Sequence, residues 1–171
     1  MTGNVVALRE KHDGEPGGDA SNHEAVRLWL RLLSCTMVIE KRVNRGFADQ
    51  FHTTLPRFDI LAALDRSEDG LSMGALGRAL LVSNGNITGL VQTLVRNGDV
   101  ELAAAPVDRR TAIVRLTEAG RARFRAMAAT HHGWIESIFA GVSPKEKAQL
   151  LGLLGSLKTS IAAAPGLKAD A

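Results

Sequence analysis

Val82-Ser83-Asn84-Gly85-Asn86-Ile87-Thr88-Gly89-Leu90-Val91-Gln92-Thr93-Leu94-Val95-Arg96-Asn97-Gly98 is the stretch on which the reading of this chain turns. Ser83 is a favoured cap for a helix start, and Asn97-Gly98 is a favoured stop. With a rotation of roughly 100 degrees per residue, Leu90, Val91, Leu94 and Val95 fall on the side of Ile87 and predict a core stripe. The opposite face carries Gly85, Gly89, Gln92 and Arg96, flanked by Asn86, Thr88 and Thr93. Glycine inside a helix costs roughly 1 kcal/mol relative to alanine, and solvated helix faces are normally filled with Lys and Glu instead. A face of glycines and amides suits a helix that must lie close to another surface. Asn86 and Gln92 offer paired donors and acceptors to a base edge, and Thr88 or Thr93 suits a thymine methyl or a phosphate. Asn84 stands where the helix dipole favours phosphate.

The neighbouring sequence extends this reading on both sides. Ser72 caps a short preceding helix holding Met73, Leu76 and Leu80, and the connection to the next helix is so short that the pair must turn sharply, as in a helix-turn-helix. After Gly98 the apolar period changes to two: Val100 and Leu102 alternate with Glu101, and Ala112, Val114 and Leu116 with Ile113 and Arg115. These runs predict a two-stranded hairpin whose long loop carries Asp108-Arg109-Arg110. Such a wing places Arg109 or Arg110 for a narrow minor groove, with Asp108 holding a guanidinium in place. A solvated turn with a local ion pair is the plainer alternative.

Helical spacing accounts for most of the remaining chain. Ser21 and Glu24 have capping-box spacing and open a long helix through Val26, Trp29, Leu30, Leu33, Met37 and Val43 to about Gly46 or Gln50. Pro56 opens a second helix carrying Phe58, Leu61, Ala62 and Leu64, which Gly70 interrupts. Thr117 caps a fifth helix reaching about Phe139. Ser143, Pro144 and Glu146 supply a cap, a first-turn proline and a capping-box acid for a sixth, whose stripe is Leu150, Leu153, Leu154, Leu157 and Ile161. The expected class is mainly α with a small two-stranded β wing.

Composition narrows the function. The 171 residues carry a formal net charge of +3 and no tyrosine, a basic excess that permits nucleic-acid binding without demonstrating it. Between Ser72 and Arg121, Arg78, Arg96, Arg109, Arg110, Arg115 and Arg121 face the acids Asp99, Glu101, Asp108 and Glu118, so any electrostatic argument rests on arrangement. The lone Cys35 excludes an intrachain disulfide framework and fits a reducing cytosol. No secretory or membrane-spanning run is apparent, so a cytoplasmic protein is expected. No phosphate loop, metal-ligand spacing or nucleophile–base arrangement suggests an enzyme, a metal or a cofactor. His131 and His132 are adjacent on a helix, pointing about 100 degrees apart, which is unsuited to joint chelation.

The run from Leu71 to Arg121, with Val82 to Thr88, Leu94-Val95, Gly98, Asp108-Arg109-Arg110 and Leu116-Thr117-Glu118-Ala119-Gly120, resembles the MarR family of transcriptional regulators. The resemblance implies a homodimer whose first, fifth and sixth helices interlock, with recognition helices in successive major grooves and wings in flanking minor grooves. It assigns residues 21–50 and 117–163 to dimerisation and 54–116 to the DNA-binding lobe, leaving an arm over 1–20 and a tail over 164–171. Ser83, Asn84, Gly85, Asn86, Thr88, Gly89, Gln92, Arg96, Asp108, Arg109 and Arg110 are then the expected contacts to operator DNA. A dimer would read a near-palindrome with half-sites roughly 34–36 Å apart.

The family also implies release from DNA by a small molecule bound between the dimerisation helices and the lobe. The candidates are Trp29, Lys41, Arg42, Arg45, His52 and Arg57, with His131 and His132 nearby in type. Plainer readings make Trp29 a core residue and pair Arg42 or Arg45 with Glu40 or Asp49. Residues 28–36 and 53–59 further resemble the branch responding to hydroxycinnamoyl-CoA thioesters, for which an apolar slot rimmed by Lys41, Arg42, Arg45 and Arg57 is suited; a free aromatic carboxylate is the competing effector. Peroxide-sensing members pair their cysteine with tyrosines, which this chain lacks, so a buried structural thiol is expected at Cys35. Repression relieved by an aromatic effector is the expected activity, and a winged-helix protein-interaction module with only non-specific DNA affinity is the alternative.

Overall fold

A computed structural model describes residues 23–80, 84–104 and 112–164, without the side chain of Asn84. The elements are α1 (Glu24–Phe51), α2 (Leu55–Asp65), β1 (Leu71–Ser72), α3 (Met73–Leu80), α4 (Asn84–Arg96), β2 (Val100–Ala104), β3 (Ala112–Leu116), α5 (Glu118–Ile138) and α6 (Pro144–Ala163). The chain divides into two compact units at Ile39 and Glu40, within α1. The first unit contributes the N-terminal half of that helix, where Val26, Leu28, Trp29, Leu33 and Met37 are exposed. Trp29 is 59% exposed, and Cys35 is exposed as well. Both contradict the expectation of buried side chains: helical spacing identifies an apolar stripe, but not whether the same chain covers it.

The second unit holds the core. Phe47, Phe58, Ile60, Leu61, Leu64, Leu76, Ile87, Val91, Leu94, Val114 and Met127 are buried. Phe47 stacks on Phe58 with ring centroids 4.7 Å apart and meets Trp134 edge-on at 5.1 Å. α1 ends at His52, whose φ of 51° puts it in the left-handed region. The Thr53 N–H then donates to the Phe47 carbonyl. The Thr54 side chain does not cap α2; Asn44 Oδ1 of α1 accepts from the Leu55 N–H instead, at 2.9 Å. α2 stops at Asp65, well before Gly70.

The sheet has three strands in the order β1-β3-β2, all antiparallel. The hairpin runs from Val100↔Leu116 to Ala104↔Ala112, in the expected alternating segments. To this two-stranded wing β1 adds Leu71↔Val114 and Ser72↔Ile113, a third strand of two residues, too short to show a period in the sequence. Ser72 caps α3 through its Oγ, which accepts from the Ala75 N–H at 3.2 Å. Thr117 caps α5, and Ser143 with Glu146 forms a complete capping box at α6. Along α6, Leu150, Leu151, Leu153, Leu154 and Ile161 are exposed, and no residue of the helix is buried.

Candidate nucleic-acid interface

α4 is fixed by its apolar side. Ile87, Val91 and Leu94 are at most 1% exposed, whereas Val95, expected on the same stripe, is 37% exposed. A helix of 3.6 residues per turn carries a position flanking the stripe past its edge. Gly85, Asn86, Thr88, Gly89, Gln92 and Arg96 are exposed together on the outer side. No described residue lies within 4 Å of the position a Cβ would take at Gly85 or at Gly89. No packing among the described residues therefore demands glycine at either place. Ser83, the Asn84 side chain and the wing residues Asp108, Arg109 and Arg110 lie outside the described residues.

The end of α4 is clamped to α5. Gly98 turns the chain with φ 75°, a conformation glycine adopts without Cβ strain. The Thr117 hydroxyl donates to the Gly98 carbonyl at 2.7 Å and accepts from the Gly120 N–H at 2.9 Å. A Cβ at Gly120 would overlap the Asp99 carbonyl. Asp99 itself is buried, and its carboxylate receives both contacts of Arg123 Nη1, at 3.1 and 3.3 Å. Arg123 Nη2 donates to the Phe51 carbonyl at 3.0 Å, so one guanidinium joins the end of α1, the α4–β2 junction and α5. The wing root is held by Arg115 Nε on the Asp69 carbonyl at 3.0 Å, and α5 by Arg121 on Asp65 at 2.9 Å. Arg115 and Arg121, two of the arginines counted as basic excess, are thus engaged inside the fold. Arg78 and Arg96 are exposed.

The effector candidates are spread along the chain. Trp29 lies in the first unit and the others in the second. Lys41, Arg42 and Arg45 are exposed on α1, with Arg45 3.7 Å from Asp49 in a solvated pair, worth little in stability. His52 is exposed at the end of α1. Arg57, in the first turn of α2, has a buried Nε without a hydrogen-bond partner among the described residues. Burial and the nearby Glu40 raise the Asp59 carboxyl above its ordinary range. His131 packs against both Phe47 and Phe58, at 5.8 and 4.9 Å. The described residues contain no cluster of three His, Cys, Asp or Glu arranged for a metal, and no described helix is long and apolar enough to cross a membrane.

Comparison with known proteins decides the family. A MarR family model matches residues 53–111. The Bacillus subtilis transcriptional repressor YetL is 31% identical over 150 residues, covering 86% of this chain and 89% of YetL. This chain belongs to the MarR family. The solved MarR family transcriptional regulator from Silicibacter pomeroyi superposes with a TM-score of 0.73 at 31% identity, covering 84% of this chain and 99% of that one. The Rhodopseudomonas palustris transcriptional activatory protein BadR is 36% identical over 105 residues. That match spans 60% of this chain and 59% of BadR, less than two thirds of its length. As a MarR protein the chain is a transcriptional regulator and not an enzyme. The Asp99–Arg123–Phe51 junction escapes sequence reasoning: its partners are far apart in sequence and no local spacing announces them.

Proposed function

We propose that this MarR protein binds a near-palindromic operator as a homodimer and releases it when an aromatic effector binds. One observation carries the DNA reading: α4 buries Ile87, Val91 and Leu94 while its outer face leaves Gly85 and Gly89 against open space. Two glycines without an internal reason fit a helix whose backbone closely approaches a groove wall, with Asn86, Gln92 and Arg96 reaching bases and phosphates. Arg109 and Arg110, with Asp108, extend the reading to the minor groove, and Ser83, Asn84 and Thr88 to the start of the recognition helix. Dimerisation is supported by the exposed leucines of α6 and the exposed apolar residues of the first half of α1, surfaces of a kind that monomers seldom leave uncovered.

Repression is the proposed sign, in line with YetL, whose match covers most of both chains; BadR bears an activator's name over a shorter match. For the effector, the buried Arg57 Nε, which has no hydrogen-bond partner among the described residues, supports an anionic group, with Trp29, Lys41, Arg42, Arg45 and His52 as the further candidates. A hydroxycinnamoyl-CoA thioester is the first compound to try, and a free aromatic carboxylate the second. The deciding experiment is fluorescence anisotropy on a duplex selected by the protein from a random pool, against its scrambled counterpart at physiological salt. Preference by about a thousandfold is expected. Equal, weak and steeply salt-dependent binding to both would instead point to a protein-interaction module.

A further inference from the structure

Thr93 sits at the border of α4, half-buried, between the core stripe and the row formed by Gly89, Gln92 and Arg96. Its Oγ1 donates to the Gly89 carbonyl at 3.1 Å and accepts from Arg96 Nη2 at 2.9 Å. A hydroxyl carries a single proton. Here that proton is committed to the carbonyl, which turns a lone pair toward the guanidinium. The direction of this chain of bonds is thus set, from Arg96 through Thr93 to the backbone of Gly89. It draws the Arg96 guanidinium back along the helix toward a glycine with open space above it. Arg96 is exposed, so its remaining N–H donors can meet an acceptor outside the chain.

Resting on the operator-binding reading above, we infer that Thr93 is a positioning residue that holds Arg96 for a DNA phosphate and does not itself touch DNA. This replaces the sequence-level expectation that Thr93 contacts a thymine methyl or a phosphate. An arginine offers a planar fork matched to phosphate oxygens, and a long side chain loses rotamer freedom when immobilised at an interface. Tethering it beforehand reduces that loss. The hydroxyl has no second proton for a phosphate, so its contribution passes through Arg96.

The test is a double-mutant cycle on the duplex selected by the wild-type protein, with salt titrations of each variant. Thr93→Val keeps the branched shape but removes the hydroxyl, and is expected to weaken binding about fivefold. Thr93→Ser restores the hydroxyl and should bind within about twofold of wild type. Arg96→Ala should lower the slope of affinity against salt by about one phosphate contact, whereas Thr93→Val, which keeps every charge, should leave the slope unchanged. In the Arg96→Ala background, Thr93→Val should cost nothing more. Thr93→Ala repeats the measurement without the branched side chain, should the valine disturb the helix. Wild-type affinity in Thr93→Val, or a loss undiminished by Arg96→Ala, overturns the positioning role alone. Failure of the wild-type protein to prefer its selected duplex overturns the operator reading and this inference with it.

Discussion

The glycines of α4 and the glycine at the start of α5 occupy opposite surroundings. Gly120 is buried, and a side chain there would run into the Asp99 carbonyl, while Gly85 and Gly89 face empty space. At Gly120 the requirement is internal: the first turn of α5 must press against the α4–β2 junction, where Thr117 and Arg123 also grip. At Gly85 and Gly89 the described residues make no such demand, and glycine there weakens the helix. The same residue type thus marks a packing contact in one helix and, in the other, a surface shaped for something outside the chain. Stability and DNA affinity should therefore respond in opposite ways to alanine at the two places.

The largest effect is expected at the crowded position. Gly120→Ala sets a methyl group against a backbone carbonyl that cannot rotate away, and should cost about 3 kcal/mol in urea unfolding. A loss below about 1 kcal/mol would show that the junction yields easily, and the contrast between the helices would lose its first half.

The open glycines should behave in reverse. Gly89→Ala is expected to raise stability by about 1 kcal/mol, and Gly85→Ala, nearer the helix start, by less. Each should weaken binding to the selected duplex about tenfold, comparable to losing one good base contact. A more stable variant with undiminished affinity would break the comparison, because α4 would then not approach DNA closely along this row.

How far this contrast was legible beforehand differs by position. The outer face of α4 could be read from spacing alone, since a helix repeats locally and its burial pattern follows from the apolar residues around Ile87. The caps at Thr117 and Ser143 were equally readable, because their partners lie within the next turn. Gly120 was visible only as part of a family motif: its reason is the Asp99 carbonyl, brought to it by the hairpin between them. The Arg123 junction and the Arg121–Asp65 pair were hidden for the same cause, as tertiary contacts between distant segments. The exposure of Trp29 and Cys35 is hidden from the sequence because an amphipathic stripe reveals which side is apolar, not what covers it. The wing tip lies outside the described residues, so Asp108, Arg109 and Arg110 rest on the sequence and on the functional proposal.

The smallest effect should come from charge on the packed side of the comparison. His131 lies on α5 among Phe47 and Phe58. Desolvation by burial, followed by the neighbouring His132, lowers its pKa from the ordinary 6.5. The folded chain therefore resists taking a proton that the unfolded chain accepts. Its neutral form contributes fully above about pH 6.5, and that contribution declines as pH falls toward and through the lower folded value, because the unfolded state then binds more protons. His131→Phe keeps an aromatic ring against Phe47 and Phe58 but cannot titrate. In thermal melts between about pH 7.5 and 5.5, a range that brackets an ordinary histidine, the wild-type Tm should fall further than that of the variant. Parallel curves would mean that His131 is solvated in both states, and that the aromatic packing on this side of α5 is looser than the burial around Gly120 and Asp99 implies.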